Sequence, residues 1–208
     1  MLCDFDGTIV NIDTALVALN LFADPDWKRI EEAFEKGEVS FEDSLRKELG
    51  MINVPEERIL KELDSLTLLR PNFARLVEYC RSNQVQLTVV SGGFDFCIRH
   101  FLDRDDWLKI VHIHAPKSQF TSNGYVLNFP ELFTQSSVNF KDDLVRREKM
   151  NGKRVIYVGN GVGDYPAASE SDVVFAIKNS RLAELCKARH VPHVEIDDFQ
   201  PVIDTLNR

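Results

Sequence analysis

The first part of the chain has the pattern of several consecutive helices. Between residues 14 and 82, apolar residues recur at helical spacing, and helix start and stop signals separate the segments. Asp24-Pro25 is an N-cap followed by a first-turn proline, and Ser40 begins a further helix that Gly50 ends. We therefore predict a helical segment over residues 14–82.

The second part of the chain has short, nearly continuous apolar runs that are rich in β-branched residues. The runs at 85–90, 154–158 and 172–177 are typical of strands buried on both faces of a parallel sheet. Helical patterns alternate with these runs, which implies a three-layer α/β/α sandwich with a mostly parallel sheet. Residues 119–129 predict a small hairpin. The helical patterns lie at about 94–102, 141–149, 164–170, 179–188 and 198–207.

The order of these patterns predicts an α/β core domain with an inserted helical subdomain. A first strand over residues 1–6 precedes the helices, so we predict a core of residues 1–13 and 83–208 and a cap of residues 14–82. An insertion directly after the first strand lies over the carboxyl end of the sheet, where open α/β folds bind ligands. The cap is therefore a candidate lid. The first strand is short, which suggests that a few native residues are missing before it.

Composition and charge narrow the class of protein. The formal net charge of −8 argues against a nucleic-acid-binding protein, because contacts to a phosphate backbone need clustered Lys and Arg. No apolar run reaches the roughly 18 residues that span a membrane, and no secretory signal is visible. The four cysteines are scattered without a CxxC spacing, which fits reduced thiols and a cytoplasmic protein.

Two carboxylates at the end of the first strand are the strongest chemical signal. In the run DFDGT, Asp4 and Asp6 alternate along a predicted strand and can point at one site. Carboxylates this close repel each other, and a hard cation such as Mg²⁺ relieves that repulsion because it prefers oxygen ligands. An acidic strand end followed by a turn is the simpler interpretation of this run by itself.

Three further segments lie at strand ends or helix starts. Ser91-Gly92 offers a hydroxyl and backbone N–H groups, Lys141 begins a predicted helix, and Asn160 and Asp164 lie in a glycine-rich loop after a strand. Each is common in itself, as a plain turn, a surface lysine or a capped loop. Their occurrence in this order, all converging on one edge of the sheet, favours a phosphate and metal site.

The four segments together resemble the motifs of the haloacid dehalogenase superfamily. The likeness covers essentially the whole chain and is greatest to the phosphoserine phosphatase-like branch, which has a helical cap in the same place. It implies that Asp4 is the nucleophile, that Asp6 is the acid and base, and that Thr8 supports the site. An aspartyl-phosphate would form on Asp4 and then be hydrolysed.

The same resemblance implies the remaining ligands. Ser91, Gly92 and Lys141 would hold the phosphoryl oxygens of a small phosphorylated metabolite. Asp4 and Asp6 would bind Mg²⁺ together with Asn160 and Asp164.

Asn160 departs from the family pattern, which usually has an aspartate at this position. An amide oxygen still coordinates Mg²⁺, but one negative charge is lost, so weaker metal binding is expected. Three explanations remain open: a natural variant, an engineered substitution, and a partial loss of catalysis.

The cap departs from phosphoserine-specific relatives as well. Asp13 stands where those relatives have a glutamate that engages the substrate amine. Glu48 stands where they have an arginine for the substrate carboxylate, and carboxylate repulsion makes phosphoserine a poor substrate. Arg46, two residues earlier, is a candidate replacement or a solvated helix residue.

The sequence therefore predicts a Mg²⁺-dependent hydrolase of small phosphomonoesters that is not specific for phosphoserine. Two alternatives remain. The first is a phosphotransferase that passes the aspartyl-phosphate to an organic acceptor. The second is a catalytically impaired protein that binds phosphorylated metabolites, in which Asn160 marks lost metal chemistry.

Overall fold

A six-stranded parallel sheet forms the centre of the molecule. The computed structural model describes residues 1–104 and 106–207. The strand order is β3-β2-β1-β6-β7-β8, and every neighbouring pair is parallel. The strands are β1 (Leu2–Cys3), β2 (Thr88–Val90), β3 (His112–His114), β6 (Ile156–Gly159), β7 (Val173–Ile177) and β8 (Val194–Ile196). A separate antiparallel hairpin consists of β4 (Lys117–Thr121) and β5 (Gly124–Asn128).

Helices cover both faces of the sheet. Successive residues of a strand point to opposite faces, and both sets of side chains are apolar here. Tyr157 and Val174 belong to one apolar cluster, and their neighbours Val158 and Phe175 belong to the other. One face is covered by α7 (Phe140–Met150), α8 (Tyr165–Glu170) and α9 (Arg181–Ala188), and the other by α5 (Phe73–Ser82), α6 (Asp95–Leu102) and α10 (Gln200–Leu206). The predicted α/β/α sandwich is confirmed. None of the helices described is long and apolar enough to cross a membrane.

The first strand is shorter than the predicted range of residues 1–6. Only Leu2–Cys3 pairs with both neighbours, and the chain then turns over Phe5–Ile9. Gly7 has a φ of +65°, in the left-handed region that glycine adopts without strain. Asp6 is therefore positioned by a turn and not by strand alternation.

The cap lies between this turn and the second strand. It contains α1 (Thr14–Phe22), α2 (Trp27–Glu35), α3 (Phe41–Gly50) and α4 (Glu56–Leu63). The hairpin β4–β5 packs against α3.

Helix α5 packs on the core, although the predicted cap range of 14–82 includes it. The Tyr79 hydroxyl donates to the Leu206 carbonyl of α10 at 2.9 Å, and the rings of Phe73 and Phe199 are 5.3 Å apart. We therefore propose that the cap ends before Phe73 and that α5 belongs to the core domain.

Candidate active site

Asp4 lies directly after β1, at the carboxyl edge of the sheet. Its backbone N–H donates to Val158 of β6 at 2.9 Å, which fixes the residue between two strands. Its side chain is buried, and the Lys141 ammonium donates to its Oδ1 at 2.8 Å. The most specific residue of the sequence motif therefore faces a buried cation.

Lys141 lies in the first turn of α7, which a capping box begins. Asn139 accepts from the backbone of the first turn, and Asp142 accepts in return from the Asn139 N–H. The buried Lys141 ammonium bridges Asp4 and Asp164, with a distance of 2.6 Å to Asp164 Oδ1. This pairing places the lysine in the site and not on the surface.

Asp164 holds the lysine and the glycine-rich loop together. Its Oδ1 also accepts from the Tyr157 hydroxyl at 2.7 Å, and its Oδ2 accepts from the backbone N–H groups of Asn160 at 2.9 Å and Gly161 at 2.8 Å. Both carboxylate oxygens thus have protein donors. These contacts favour a positioning role for Asp164, and direct metal coordination by it stays a prediction.

The buried charges of this cluster are interdependent. Burial lowers the pKa of Lys141, but the nearby Asp164 and Asp4 carboxylates outweigh it and raise that pKa above its usual value. Burial and the charge of Asp164 raise the pKa of Asp4, while the Lys141 ammonium lowers it. With two carboxylates around one ammonium, the ionised cluster has an excess negative charge that a further cation would neutralise.

Three oxygens beside this cluster fit the coordination chemistry of Mg²⁺. Asn160 Oδ1 lies 2.8 Å from the Asp6 carbonyl oxygen and 3.0 Å from Asp4 Oδ2. Adjacent oxygens around octahedral Mg²⁺, at about 2.1 Å from the ion, are about 2.9 Å apart. Oxygens without hydrogens repel at this separation unless a cation lies between them. The donor set therefore fits a magnesium ion held by Asp4, the Asp6 carbonyl and Asn160.

The Asn160 amide also has the opposite orientation available. With its NH₂ group in place of Oδ1, it would donate to the Asp6 carbonyl at 2.8 Å and to Asp4 Oδ2 at 3.0 Å. The Thr8 hydroxyl lies 2.9 Å from the same amide atom and can donate to it or accept from it. Thr8 thus contacts Asn160, and its supporting role in the site stays a prediction.

Asp6 is held by the first residue of the cap. Its Oδ1 accepts from the Thr14 backbone N–H at 2.8 Å and from the Thr14 hydroxyl at 2.5 Å. The Ser91 hydroxyl lies 3.4 Å from its Oδ2. Burial, and then the charge of Asp13, raise the pKa of Asp6 to about 7, against these hydrogen bonds. A carboxyl group with this pKa can both donate and accept a proton near neutral pH.

Ser91 and Gly92 follow β2 at the same edge of the sheet. Both are buried, and the Ser91 hydroxyl accepts from the Gly93 N–H at 3.0 Å. A Cβ atom at Gly92 would lie 2.6 Å from Leu45 Cδ1 and 2.9 Å from Phe41 Cζ. Gly92 is therefore in direct contact with the cap.

Phe41 covers the site from the first turn of α3. Its ring packs on Gly92 and Gly163, and the Lys141 ammonium lies 5.6 Å from its centroid. The sequence places Phe41 in the first turn of a helix. It does not indicate that the ring packs on the core and not on the other cap helices.

Arg70 is a second residue that sequence reasoning missed. Its guanidinium donates to the carbonyls of Thr8 at 2.6 Å, Gly7 at 2.7 Å and Asp197 at 3.1 Å. It therefore fixes the turn that follows Asp4, from the end of the cap. A half-buried arginine before a proline has no sequence signature for this role.

The two predicted cap residues occupy different surroundings. Asp13 caps α1 by accepting from the Leu16 N–H at 2.8 Å, and its negative charge raises the pKa of Asp6. Arg46 pairs with Asp43 at 2.9 Å and stacks on Phe129 at 4.7 Å. These contacts do not bring Arg46 into the charged cluster, and substrate binding by it stays a prediction.

Comparisons with known proteins place the chain in a family of hydrolases. The family model of haloacid dehalogenase-like hydrolases matches residues 1–169. A protein of Brevibacillus brevis named 2-hydroxy-3-keto-5-methylthiopentenyl-1-phosphate phosphatase is 27% identical, covering 100% of this chain and 95% of its own. A protein of the same name from Exiguobacterium sibiricum is also 27% identical, covering 99% of this chain and 95% of its own.

Solved structures show the same fold. A substrate-bound phosphoserine phosphatase matches with a TM-score of 0.72 at 19% identity, covering 98% of this chain and 96% of its own. A phospho-aspartyl intermediate analogue of phosphoserine phosphatase matches with a TM-score of 0.69 at 20% identity, with the same coverage. The chain belongs to the haloacid dehalogenase-like hydrolase family, as its four motifs predict.

Proposed function

We propose that this enzyme is a Mg²⁺-dependent phosphatase that hydrolyses a small phosphomonoester through an aspartyl-phosphate on Asp4. The observation that carries the proposal is the buried Lys141 ammonium between Asp4 and Asp164, at 2.8 and 2.6 Å, beside the Asp6 carbonyl and the side-chain amide of Asn160. With Mg²⁺ bound, such an arrangement would concentrate positive charge where a phosphoryl group is transferred.

Asp4 and Asp6 divide the chemistry between them. An Asp4 oxygen attacks phosphorus, the bond from phosphorus to the leaving oxygen breaks, and the Asp6 carboxyl gives its proton to that oxygen. Asp6, now a carboxylate, takes a proton from water while the water attacks the phosphorus of the aspartyl-phosphate. The bond between Asp4 and phosphorus then breaks, and inorganic phosphate leaves.

The other residues hold the reacting groups. Asp4, the Asp6 carbonyl and Asn160 would hold Mg²⁺, which neutralises phosphoryl charge when bound. Lys141, the Ser91 hydroxyl and the Gly92 N–H would bind the phosphoryl oxygens. Phe41 would exclude water from the site while the cap is closed.

The substrate is a small phosphorylated metabolite. The Brevibacillus and Exiguobacterium relatives are named for 2-hydroxy-3-keto-5-methylthiopentenyl-1-phosphate, so this compound belongs in the substrate panel. Phosphoserine is disfavoured, because Glu48 stands where phosphoserine-specific relatives have an arginine for the substrate carboxylate.

Release of phosphate from an aryl phosphate, with and without Mg²⁺, tests the proposal. We expect Mg²⁺-dependent turnover that Asp4→Asn reduces at least about a thousandfold, because the amide cannot form the acyl phosphate. The exposed Asp26→Asn is the matched control and should retain activity.

Three outcomes would contradict the proposal. Turnover by Asp4→Asn at the wild-type rate would exclude Asp4 as the nucleophile. Phosphate transfer to added alcohols with little hydrolysis would identify a phosphotransferase. Thermal stabilisation by phosphate esters without turnover, across the panel and with Mg²⁺ or Mn²⁺, would identify a binding protein.

A further inference from the structure

Tyr157 lies on β6, with a paired strand on each side. It is in register with Leu2 of β1 on one side and with Val174 of β7 on the other. Its side chain is fully buried and belongs to the apolar cluster that contains Phe140 and Leu144 of α7. Because neighbouring strands and a helix hold the ring by close packing, its hydroxyl has a fixed position.

The Tyr157 hydroxyl is the rigid donor to one oxygen of Asp164. It donates to Asp164 Oδ1 at 2.7 Å, and the Lys141 ammonium donates to the same oxygen at 2.6 Å. A tyrosine side chain has two torsions, whereas the ammonium of a lysine lies at the end of a flexible four-carbon stem. The hydroxyl can therefore fix the carboxylate, and the carboxylate can then fix the ammonium.

The other oxygen of Asp164 is fixed by the backbone of the glycine-rich loop. Its Oδ2 accepts from the N–H groups of Asn160 at 2.9 Å and Gly161 at 2.8 Å. It also lies against the end of β6, since a Cβ atom at Gly159 would be 2.6 Å from it. Tyr157 thus completes a set of rigid donors that holds both oxygens of the carboxylate.

The position of the Asp164 carboxylate determines where the Lys141 ammonium lies. The ammonium bridges Asp164 and Asp4, at 2.8 Å from Asp4 Oδ1. All three residues are buried, so little water screens the charges and their interaction depends on the distances between them. A displaced carboxylate would therefore displace the positive charge that faces the nucleophile.

We propose that Tyr157 is a positioning residue of this phosphatase, acting through Asp164 on the Lys141 ammonium. This inference rests on the proposed phosphatase function and adds a residue to its machinery. The hydroxyl acts on the carboxylate and not on the substrate. It holds the group that directs Lys141 towards Asp4, so that the ammonium meets a phosphoryl oxygen without rearrangement.

The alternative is that Asp164 only satisfies the hydroxyl of a core tyrosine. A buried hydroxyl without an acceptor is costly, so a tyrosine beside a carboxylate forms this hydrogen bond in either case. The two interpretations differ in the effect of removing the hydroxyl. Loss of a structural hydrogen bond lowers the fraction of folded protein, whereas loss of a positioning contact changes every folded molecule.

Tyr157→Phe removes the hydroxyl and retains the ring. We expect kcat/KM for an aryl phosphate to fall about tenfold, as the loss of one hydrogen bond to a charged group predicts. The Kd for inorganic phosphate in Mg²⁺ should rise in the same variant, because Lys141 would meet the anion less well. Isothermal titration calorimetry measures this Kd, and its stoichiometry gives the fraction of folded protein. A variant that only folds less well would lower the stoichiometry and leave the Kd unchanged.

Tyr79→Phe is the matched control, because it removes a hydroxyl that donates to the Leu206 carbonyl at 2.9 Å, between α5 and α10. It should lower the Tm and leave kcat/KM and the Kd for phosphate at their wild-type values. A second comparison uses Lys141→Met. In that background Tyr157→Phe should cause no further loss of kcat/KM, because the ammonium that it positions is absent.

The outcomes separate this inference from the proposed function. A Tyr157→Phe protein with wild-type kcat/KM and wild-type Kd overturns the inference and leaves the phosphatase function intact. An equal loss of kcat/KM with and without Lys141 overturns it as well, since Tyr157 would then act by another route. If the wild type releases no phosphate from any ester, the proposed function fails. The Kd values of the two tyrosine variants for inorganic phosphate then still decide whether Tyr157 positions the lysine.

Discussion

At the scale of single residues, the orientation of the Asn160 amide determines whether the site offers a third oxygen to a metal or hydrogen bonds to Asp4 and the Asp6 carbonyl. With Oδ1 turned towards the Asp6 carbonyl and Asp4 Oδ2, the amide completes a set of three oxygens for a cation. With its NH₂ group turned towards them, it satisfies the same two acceptors by hydrogen bonds. An amide can therefore serve both states, whereas a carboxylate would serve only the metal-bound one.

Asn160→Asp is expected to strengthen metal binding and to weaken the metal-free protein. The added charge should lower the Kd for Mg²⁺ about tenfold, and the loss of the amide donor beside Asp4 should lower the Tm without Mg²⁺. Isothermal titration calorimetry measures the first effect, and thermal unfolding in a chelator measures the second.

Asn123→Asp is the control for this substitution, because it adds the same charge at an exposed hairpin turn. It should leave both the Kd and the Tm near their wild-type values. An Asn160→Asp protein with an unchanged Kd for Mg²⁺ would mean that residue 160 does not bind the metal.

The sequence predicts the residues that have a local signature and misses those whose role depends on distant contacts. Asp4 and Asp6 are identified by the turn motif that contains them. Lys141 by itself resembles a surface lysine, and only its occurrence together with the other three segments indicates a role in the site. Phe41 and Arg70 meet their partners across more than fifty residues of chain, and neither their type nor their spacing indicates those contacts.

At the scale of elements, the start of α3 is where the cap packs against the core. Ser40 caps the helix by accepting from the Asp43 N–H at 3.2 Å, which fixes the direction of its first turn. Phe41 in that turn packs on Gly92 and Gly163, which belong to two different loops of the core. Only glycine leaves room for the ring at these two positions. Opening of the cap to admit a substrate must therefore withdraw this ring.

Phe41→Ala is expected to impair catalysis more than folding. Without the ring, bulk water enters the site and screens the Lys141 charge, so phosphoryl transfer to Asp4 should slow and kcat/KM for an aryl phosphate should fall about tenfold. Phe34→Ala is the matched control, because its ring packs on the Phe41 ring, with the two centroids 5.7 Å apart. Steady-state kinetics and thermal unfolding of both variants make the comparison. A similar loss of kcat/KM in both variants would assign Phe41 to cap packing alone.

Element boundaries were predictable where local signals define them. The helical pattern at about 94–102 corresponds to Asp95–Leu102 of α6, and the predicted hairpin corresponds to β4 and β5. The first strand was predicted too long, because the turn that follows Asp4 depends on Gly7 and on the Arg70 guanidinium. The place of α5 could not be predicted, since an amphipathic helix packs equally well on a cap or on a core.

At the scale of the whole molecule, the net charge of −8 opposes the capture of an anionic substrate. The attraction must come from the site itself, where Lys141 is already shared by two carboxylates. A bound cation and the helix-start N–H groups would supply the remaining positive potential. We therefore expect substrate binding to be coupled to metal binding by electrostatics.

Buried carboxyl groups also make the stability of the whole protein depend on pH. Burial and Glu31 raise the pKa of Glu48 from 4.5 to about 8, so between these values the folded chain binds more protons than the unfolded chain. Stability from this group is therefore fully present below about pH 4.5 and is lost as the pH rises through about 8. In a metal chelator, the wild-type Tm should fall across this window, and Glu48→Gln should make the fall smaller.

The difference between the two proteins isolates Glu48, with its coupled neighbours Glu31 and Asp13, from other carboxyl groups with raised pKa values, such as Asp4 and Asp6. These groups contribute a fall of the same sign to both proteins, so it cancels when the two Tm curves are subtracted. Glu38→Gln, at an exposed position, should follow the wild-type curve. Parallel Tm curves for the wild type and Glu48→Gln would show that Glu48 is ionised equally in the folded and unfolded chains. The buried carboxyl would then already have a donor.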